Sequence, residues 1–169
     1  RGLSYRLHQQ GVAYLDRNRF AIIGEGRVSY GFKFGGSTMV PWVRAGQAWP
    51  IGSKATLPLA DRFFLGGAGS LRGFERDEIT GRNLQGGESM LSYGSELFYP
   101  VLDWMDGSLF YEWGRVFDGY RYDLGGLRGH AIGMGLVFRT PVGPIEGFFA
   151  HPLGVKRSGR LGFQLGTIF

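Results

Sequence analysis

Residues 20–34 read F-A-I-I-G-E-G-R-V-S-Y-G-F-K-F, and they constrain the fold more than any other stretch. Phe20, Ile22, Val28, Tyr30, Phe32 and Phe34 share one parity with Gly24 and Gly26. Glu25, Arg27, Ser29 and Lys33 share the other with Ala21, Ile23 and Gly31. A period of two puts these sets on opposite faces of a β-strand. The run is too long for an ordinary soluble strand, whose commonest length is about 5–6 residues. A tilted membrane-spanning strand takes about 9–11 residues, with extensions into its loops. An apolar face toward lipid and a polar face toward a watery interior explains the pattern. A soluble β-sandwich also has one apolar face per strand and is the alternative that periodicity leaves open; strand length and the placing of charge count against it.

The same period recurs along the chain. Leu3, Tyr5 and Leu7 oppose Ser4, Arg6 and His8 in a segment 3–15 whose phase blurs after Gln9. In 38–49, Trp42, Arg44 and Gly46 oppose Val43, Ala45, Gln47 and Trp49. Pro41 lacks a ladder donor, so it is expected near the strand's end or at a bulge. In 88–101, Leu91, Tyr93, Leu97 and Tyr99 oppose Ser92, Gly94 and Glu96. In 108–117, Leu109, Tyr111 and Trp113 oppose Phe110, Glu112 and Gly114. In 128–140, Ile132, Met134, Leu136 and Phe138 oppose Gly133, Gly135, Val137 and Arg139. A short strand at 145–150 follows the turn Pro141-Val142-Gly143-Pro144. The last strand, 160–169, sets Leu161, Phe163, Leu165, Thr167 and Phe169 against Gly162, Gln164 and Gly166. The expectation is an all-β chain: eight antiparallel strands of a transmembrane β-barrel, with residues 1–169 as one domain. The 31 glycines, the 15% aromatic content and a mean hydropathy near zero fit that class. No apolar run approaches the roughly 18 residues of a transmembrane helix.

One stretch breaks the alternation. Residues 50–87 are dense in glycine and charge, and at their centre stands D-R-F-F-L-G-G-A-G-S-L-R-G-F, residues 61–74. Phe63, Phe64, Leu65, Leu71 and Phe74 are too apolar for a solvated tail. Gly66, Gly67, Gly69 and Gly73 allow tight bends and close approach of backbone to a wall. A compact loop presenting one cation, Arg72, between a leucine and a glycine is one reading. A large surface loop with some buried aromatics is the other.

Chemistry is excluded more easily than assigned. The net charge of +5 and pI near 9.7 come without a basic block or nucleic-acid motif, so no nucleic-acid partner is expected. His8, His130 and His151 lack metal-ligand spacing. Gly69-Ser70-Leu71 lacks the closing glycine of a nucleophile elbow, and no helix pattern follows Gly66 to Gly69 to cradle a phosphate. No enzyme activity, cofactor or metal is therefore expected. The opening R-G-L-S-Y-R-L interleaves polar residues and does not read as a signal peptide.

The pattern F-L-G-G-A-G-S-L-R-G-F resembles the signature loop of the bacterial surface-antigen superfamily of outer-membrane barrels. That family includes the BamA and TamA assembly proteins and the two-partner-secretion transporters. S-E-L-F-Y-P (95–100) is similar to the family's S-x-E-x-x-x-P strand. L-F-Y-E-W-G (109–114) is similar to its F-x-D-x-G strand, with Glu112 for the usual Asp and Gly114 in place. G-M-G-L-V-F-R-T-P-V-G-P-I (133–145) resembles its G-x-G-x-R-x-x-T-P-x-G-P pair through Gly133, Gly135, Pro141, Gly143 and Pro144, with the arginine shifted to Arg139. The end of the chain, with Phe163, Leu165 and Phe169, resembles the C-terminal targeting strand of outer-membrane proteins.

The resemblance implies that the tip Leu71-Arg72-Gly73-Phe74 folds back into the lumen and that Arg72 pairs with carboxylates on the inner wall. Glu96 and Glu112 have the inward parity for that, and the planar guanidinium suits a bidentate grip on carboxylates. A tip that only pins the loop for stability is the alternative. The resemblance also implies a sixteen-stranded barrel in a Gram-negative outer membrane, of which this chain supplies the C-terminal half. Eight strands closing alone would leave an interior just filled by side chains, with no room for the loop. The remaining strands are expected from a longer chain or from a second copy joined edge to edge in C2 symmetry. The implied partners are outer-membrane lipid and a protein substrate that is inserted or translocated. A barrel anchoring or secreting a passenger such as a patatin-like lipase, and a passive pore, are the rival readings.

Overall fold

The computed structural model describes residues 2–14, 19–51, 57–81, 84–119 and 128–165. Eight strands form one antiparallel sheet in chain order: β1 (Gly2–Tyr14), β2 (Arg19–Phe34), β3 (Ser37–Ile51), β4 (Ser89–Leu102), β5 (Met105–Phe117), β6 (Arg128–Thr140), β7 (Gly143–Leu153) and β8 (Arg160–Leu165). Neighbours in sequence are neighbours in the sheet, as hairpin connections dictate. Among the described residues no α-helix occurs, and β1 and β8 each keep one free edge. The short connections lie at one end of the sheet and the long ones at the other. Gly35 and Gly36 turn at φ +52° and +83°, the left-handed region a two-residue hairpin needs.

Burial follows the expected parity from β2 to β6, and the register with β2 carries it to β1. Phe20, Val28, Phe32, Val43, Trp49, Tyr93, Leu109, Tyr111, Ile132, Met134 and Leu136 are exposed on the convex face. Leu161, Phe163 and Leu165 continue that face on β8, and Leu3, Tyr5 and Leu7 on β1. Such a face is stable only against hydrocarbon or a partner. The concave face carries Glu25, Arg27 and Arg44; Arg44 grips Glu25 through Nε at 2.7 Å and Nη2 at 3.1 Å. Arg27 lies 4.7 Å over the Trp42 ring.

Some boundaries differ from the sequence reading. β1 pairs with β2 without interruption from Gly2 to Tyr14, so the blurred phase after Gln9 does not end the strand. Pro41 lies well inside β3 rather than at its end. The β2–β3 ladder skips the pairs opposite Val40 and Pro41 and resumes in the same register, so no bulge is needed to absorb the missing donor. β7 extends from Gly143 to Leu153, well beyond the expected 145–150. Its Pro144 and Pro152 pair with Arg139 and Ala131 of β6 and lie beyond the part of β7 that pairs with β8. Phe169 lies outside the described residues.

The segment between β3 and β4 folds onto the concave face. After a short 3-10 turn (Leu59–Asp61) it makes its own bridges. Phe63 and Gly87 exchange backbone hydrogen bonds of 2.8 and 2.9 Å, and Leu65 and Ile79 exchange bonds of 3.0 and 2.8 Å. The largest buried cluster joins Leu65, Leu71, Phe74 and Ile79 of this loop to Met90, Val116 and Ala131 of the wall. The segment thus has its own internal hydrogen bonds and shares a packed core with the wall.

Candidate functional site: the docked loop tip

The wall is shaped for the loop by missing side chains. A Cβ at Gly46 would meet the Phe63 ring at 2.6 Å, one at Gly114 the Leu65 side chain at 2.8 Å, and one at Gly129 both Leu71 at 2.5 Å and Phe74 at 2.9 Å. Glycine in a strand interior marks such close approach. Gly73 itself adopts φ +93°, and a Cβ there would meet the Ala131 side chain and the Pro152 nitrogen at 3.3 Å. A side chain there would be strained by conformation and crowded by β6 and β7.

This packing delivers Arg72 into a set of carboxylates. Its backbone N–H donates to Glu112 Oε2 at 2.7 Å and its Nε to Glu112 Oε1 at 2.8 Å. Nη1 and Nη2 fork onto the two oxygens of Glu96 at 3.0 and 3.1 Å. Nη1 also reaches Glu146 at 3.2 and 3.3 Å. The guanidinium carbon sits 3.4 Å over the Phe110 ring and 5.6 Å from that of Phe148. Arg72 is 4% exposed, Glu112 4%, Glu96 5% and Glu146 0%, so bulk water screens none of these contacts. One cation faces three carboxylates. Glu146 is held further by Ser108 Oγ at 2.9 Å and Gln164 Nε2 at 2.8 Å.

The structure therefore brings Arg72, Glu96 and Glu112 together. Gly133 and Gly135 line the same wall: a Cβ at 135 would press on Glu146 Oε1 at 2.7 Å and Ser108 Oγ at 2.8 Å, and Gly133 lies beneath the Phe110 ring. Gly114 lies under the loop rather than in the ion cluster. Pro141, Gly143 and Pro144 form the β6–β7 turn, with Gly143 at φ +120° and Thr140 Oγ1 donating to its carbonyl at 2.6 Å. Phe163 and Leu165 point away from the site on the convex face. Arg139 is not part of the cluster. It is half-exposed near the short-turn end and forks Asp106 at 2.6 and 2.9 Å.

Sequence reasoning missed Glu146, Phe110, Phe148 and Gly129. It also missed the loop's outer contacts. Arg157 Nη1 and Nη2 each reach Glu78 at 3.0 Å, and Arg160 Nη1 reaches Glu75 at 2.7 Å. Burial pushes the Glu78 carboxyl up, but hydrogen bonds from Arg157 and from the Glu75 N–H outweigh it and hold it below the usual carboxylate range. The Glu78 contact correspondingly raises the Arg157 guanidinium.

An open antiparallel sheet with an apolar convex face, a polar concave face and a loop packed into that concavity is half of a transmembrane β-barrel that carries a loop in its lumen. The model of the Omp85 superfamily domain matches residues 3–169. The chain belongs to that superfamily. It is 29% identical over 164 residues to the outer membrane protein assembly factor BamA of Neisseria meningitidis serogroup B, covering 73% of this chain and 21% of that protein. It is 33% identical over 133 residues to a SAM50-like protein of Schizosaccharomyces pombe, covering 68% of this chain and 28% of that one. The crystal structure of BamA from Haemophilus ducreyi lacking POTRA domains 1–3 superposes with a TM-score of 0.67 at 16% identity, over 95% of this chain and 37% of that one. The chain thus spans between about a fifth and two fifths of the proteins it matches.

Proposed function

We propose that this chain is the C-terminal half of a Gram-negative outer-membrane barrel that inserts β-barrel proteins into that membrane. The observation that carries the reading is the docked tip, with Arg72 gripped by Glu96, Glu112 and Glu146 inside a half-barrel of the Omp85 superfamily. A passive pore does not call for a loop fixed in its lumen by a buried ion cluster. Two free edges are not viable in hydrocarbon, where every backbone group needs a partner. The barrel is completed by further strands, from a longer chain or from a second copy of this one. Its partners are outer-membrane lipid and an unfolded protein substrate, and it works by non-covalent templating, without cofactor or metal.

The test is reconstitution of the full-length protein in lipid vesicles with a urea-unfolded β-barrel substrate. Substrate folding, read by heat-modifiable gel mobility, should run faster than in empty vesicles, and Arg72→Ala should abolish the gain. Folding no faster than in empty vesicles, together with steady open-channel conductance in a planar bilayer, would establish the pore instead.

A further inference from the structure

Among the described residues β8 makes the shortest ladder in the sheet. It pairs with β7 over six residues, and its other edge is free among the described residues. Side chains on the concave side add to that pairing. Gln164 donates to Glu146, and Gly162 lies under the Phe148 ring. Further contacts come from the loop. Arg160, the first residue of β8, reaches Glu75 at 2.7 Å. Three residues earlier, Arg157 forks Glu78 with both terminal nitrogens at 3.0 Å. The same guanidinium donates to the Gly73 carbonyl at 3.4 Å and stands 5.6 Å from the Phe74 ring. Arg157 therefore touches the glycine and the aromatic of the same tip whose arginine is buried in the wall.

The acidic side of this contact is prebuilt. Glu75 N–H donates to the Glu78 carboxylate at 2.6 Å, and Glu78 N–H donates to the Glu75 carbonyl at 3.2 Å. Asp77 adopts φ +58° to close the turn between them. Gly66 backs that turn so closely that a Cβ there would overlap the Glu75 carbonyl. The turn can present both carboxylates to β8 only while the rest of the loop lies where it does.

We infer that Arg157 and Arg160 are positioning residues that latch the edge strand β8 to the docked loop, so that loop and edge are held or released together. This rests on the insertion reading, because an edge strand is where a substrate strand would add by β-augmentation. A merely decorative surface pair would leave β8 indifferent to the loop.

The experiment uses the full-length protein in vesicles, with folding of each variant checked by heat-modifiable mobility. Amide hydrogen exchange is followed by mass spectrometry for residues 160–165 and 71–79. Arg157→Glu and Glu78→Arg, each alone, should speed exchange in 160–165 by about two- to fivefold, the range a partly exposed ion pair gives. The double variant should exchange more slowly than either single, short of wild type because Arg at 78 no longer accepts the Glu75 N–H. Gly66→Ala, which displaces the turn and leaves every charge in place, should also speed exchange in 160–165. Should either reversal fail to fold, Arg157→Gln and Glu78→Gln replace the singles. Exchange in 160–165 unchanged by the singles, or a double variant no better than either single, overturns the latch. Insertion is measured on the same samples. Exchange that follows the charge swap in a protein that folds substrate no faster than empty vesicles supports the latch and removes the insertion reading.

Discussion

Arg72→Met removes the cation that Glu96, Glu112 and Glu146 share while keeping much of the side-chain volume. The five side-chain hydrogen bonds it makes are lost, and three carboxylates stay behind in the wall. Breaking one side of a buried ion pair costs about 3–5 kcal/mol, because the partner is left uncompensated. No discount for solvent applies, since all four side chains are buried. At about 1.4 kcal/mol per decade, the docked-to-undocked ratio of the loop should fall by roughly two to three and a half decades. The Arg72 amide, which donates to Glu112, and the Leu65–Ile79 bridge give local readouts. Amide exchange across residues 65–79 should accelerate by roughly two to three and a half decades in the folded barrel. Arg72→Lys keeps a charge without the fork and should fall between. Glu112→Gln should be nearly as damaging, because that residue holds both Nε and the backbone N–H, whereas Glu146→Gln should be mild because Glu96 still receives Nη1. Exchange within tenfold of wild type in Arg72→Met would refute the claim that the ion cluster fixes the loop.

Gly129→Leu should also undock the loop, since the side chain would occupy the space of Leu71 and Phe74; exchange at 65–79 should rise while the strand amides of β5 and β6 stay protected. Met134→Lys on the convex face should lower folding stability in bilayers by about 2–4 kcal/mol if that residue lies at mid-membrane, measured by urea titration. Lysine at the concave Ser29 should cost far less by the same measurement, and equal costs would reverse the assignment of faces. The Glu78 carboxyl is held down by Arg157 in the folded loop, so its contribution is complete above the ordinary glutamate value of about 4.3 and is lost as pH falls through the depressed folded value. Labelling of a cysteine placed at Arg76, compared with the Glu78→Gln variant, should show the two proteins converging only in that acidic window. Glu75, Arg157 and Arg160 are the other charged groups at that contact.

The faces of the sheet were legible because a two-residue period needs no partner to be read. Phe20 to Phe34 declares its own inside and outside, and Glu96 and Glu112 inherit theirs from Tyr93 and Tyr111 on the other parity. Glu146 was not legible. It lies next to P-V-G-P, in a segment bounded by Pro144 and Pro152 that reads as a short strand. Prolines normally end a ladder, and only the β6 pairing shows β7 running through both. The inner-wall glycines were countable but silent. What Gly46, Gly114 and Gly129 do depends on which loop side chain arrives above them, a contact made across tens of residues. Arg157 and Arg160 sit in a stretch with no motif, and their partners at Glu78 and Glu75 become visible only once the loop is docked.

The glycines and the ion cluster belong to one physical solution. A concave wall with glycines at 46, 114 and 129 cannot fill its own interior, and its largest buried cluster among the described residues forms because Leu65, Leu71, Phe74 and Ile79 come down from the loop. The loop, in turn, has tight turns and isolated bridges of its own but depends on the wall to bury those side chains. Apolar packing of this kind is not directional and would tolerate a shifted loop. Arg72 removes that tolerance. Its fork and backbone N–H satisfy Glu96 and Glu112 in one geometry, so a displaced tip would strand buried charges. Packing therefore supplies the attraction and the ion cluster supplies the register. A register fixed this way at the tip is what allows contacts as exposed as Glu75–Arg160 to report on the edge of the sheet.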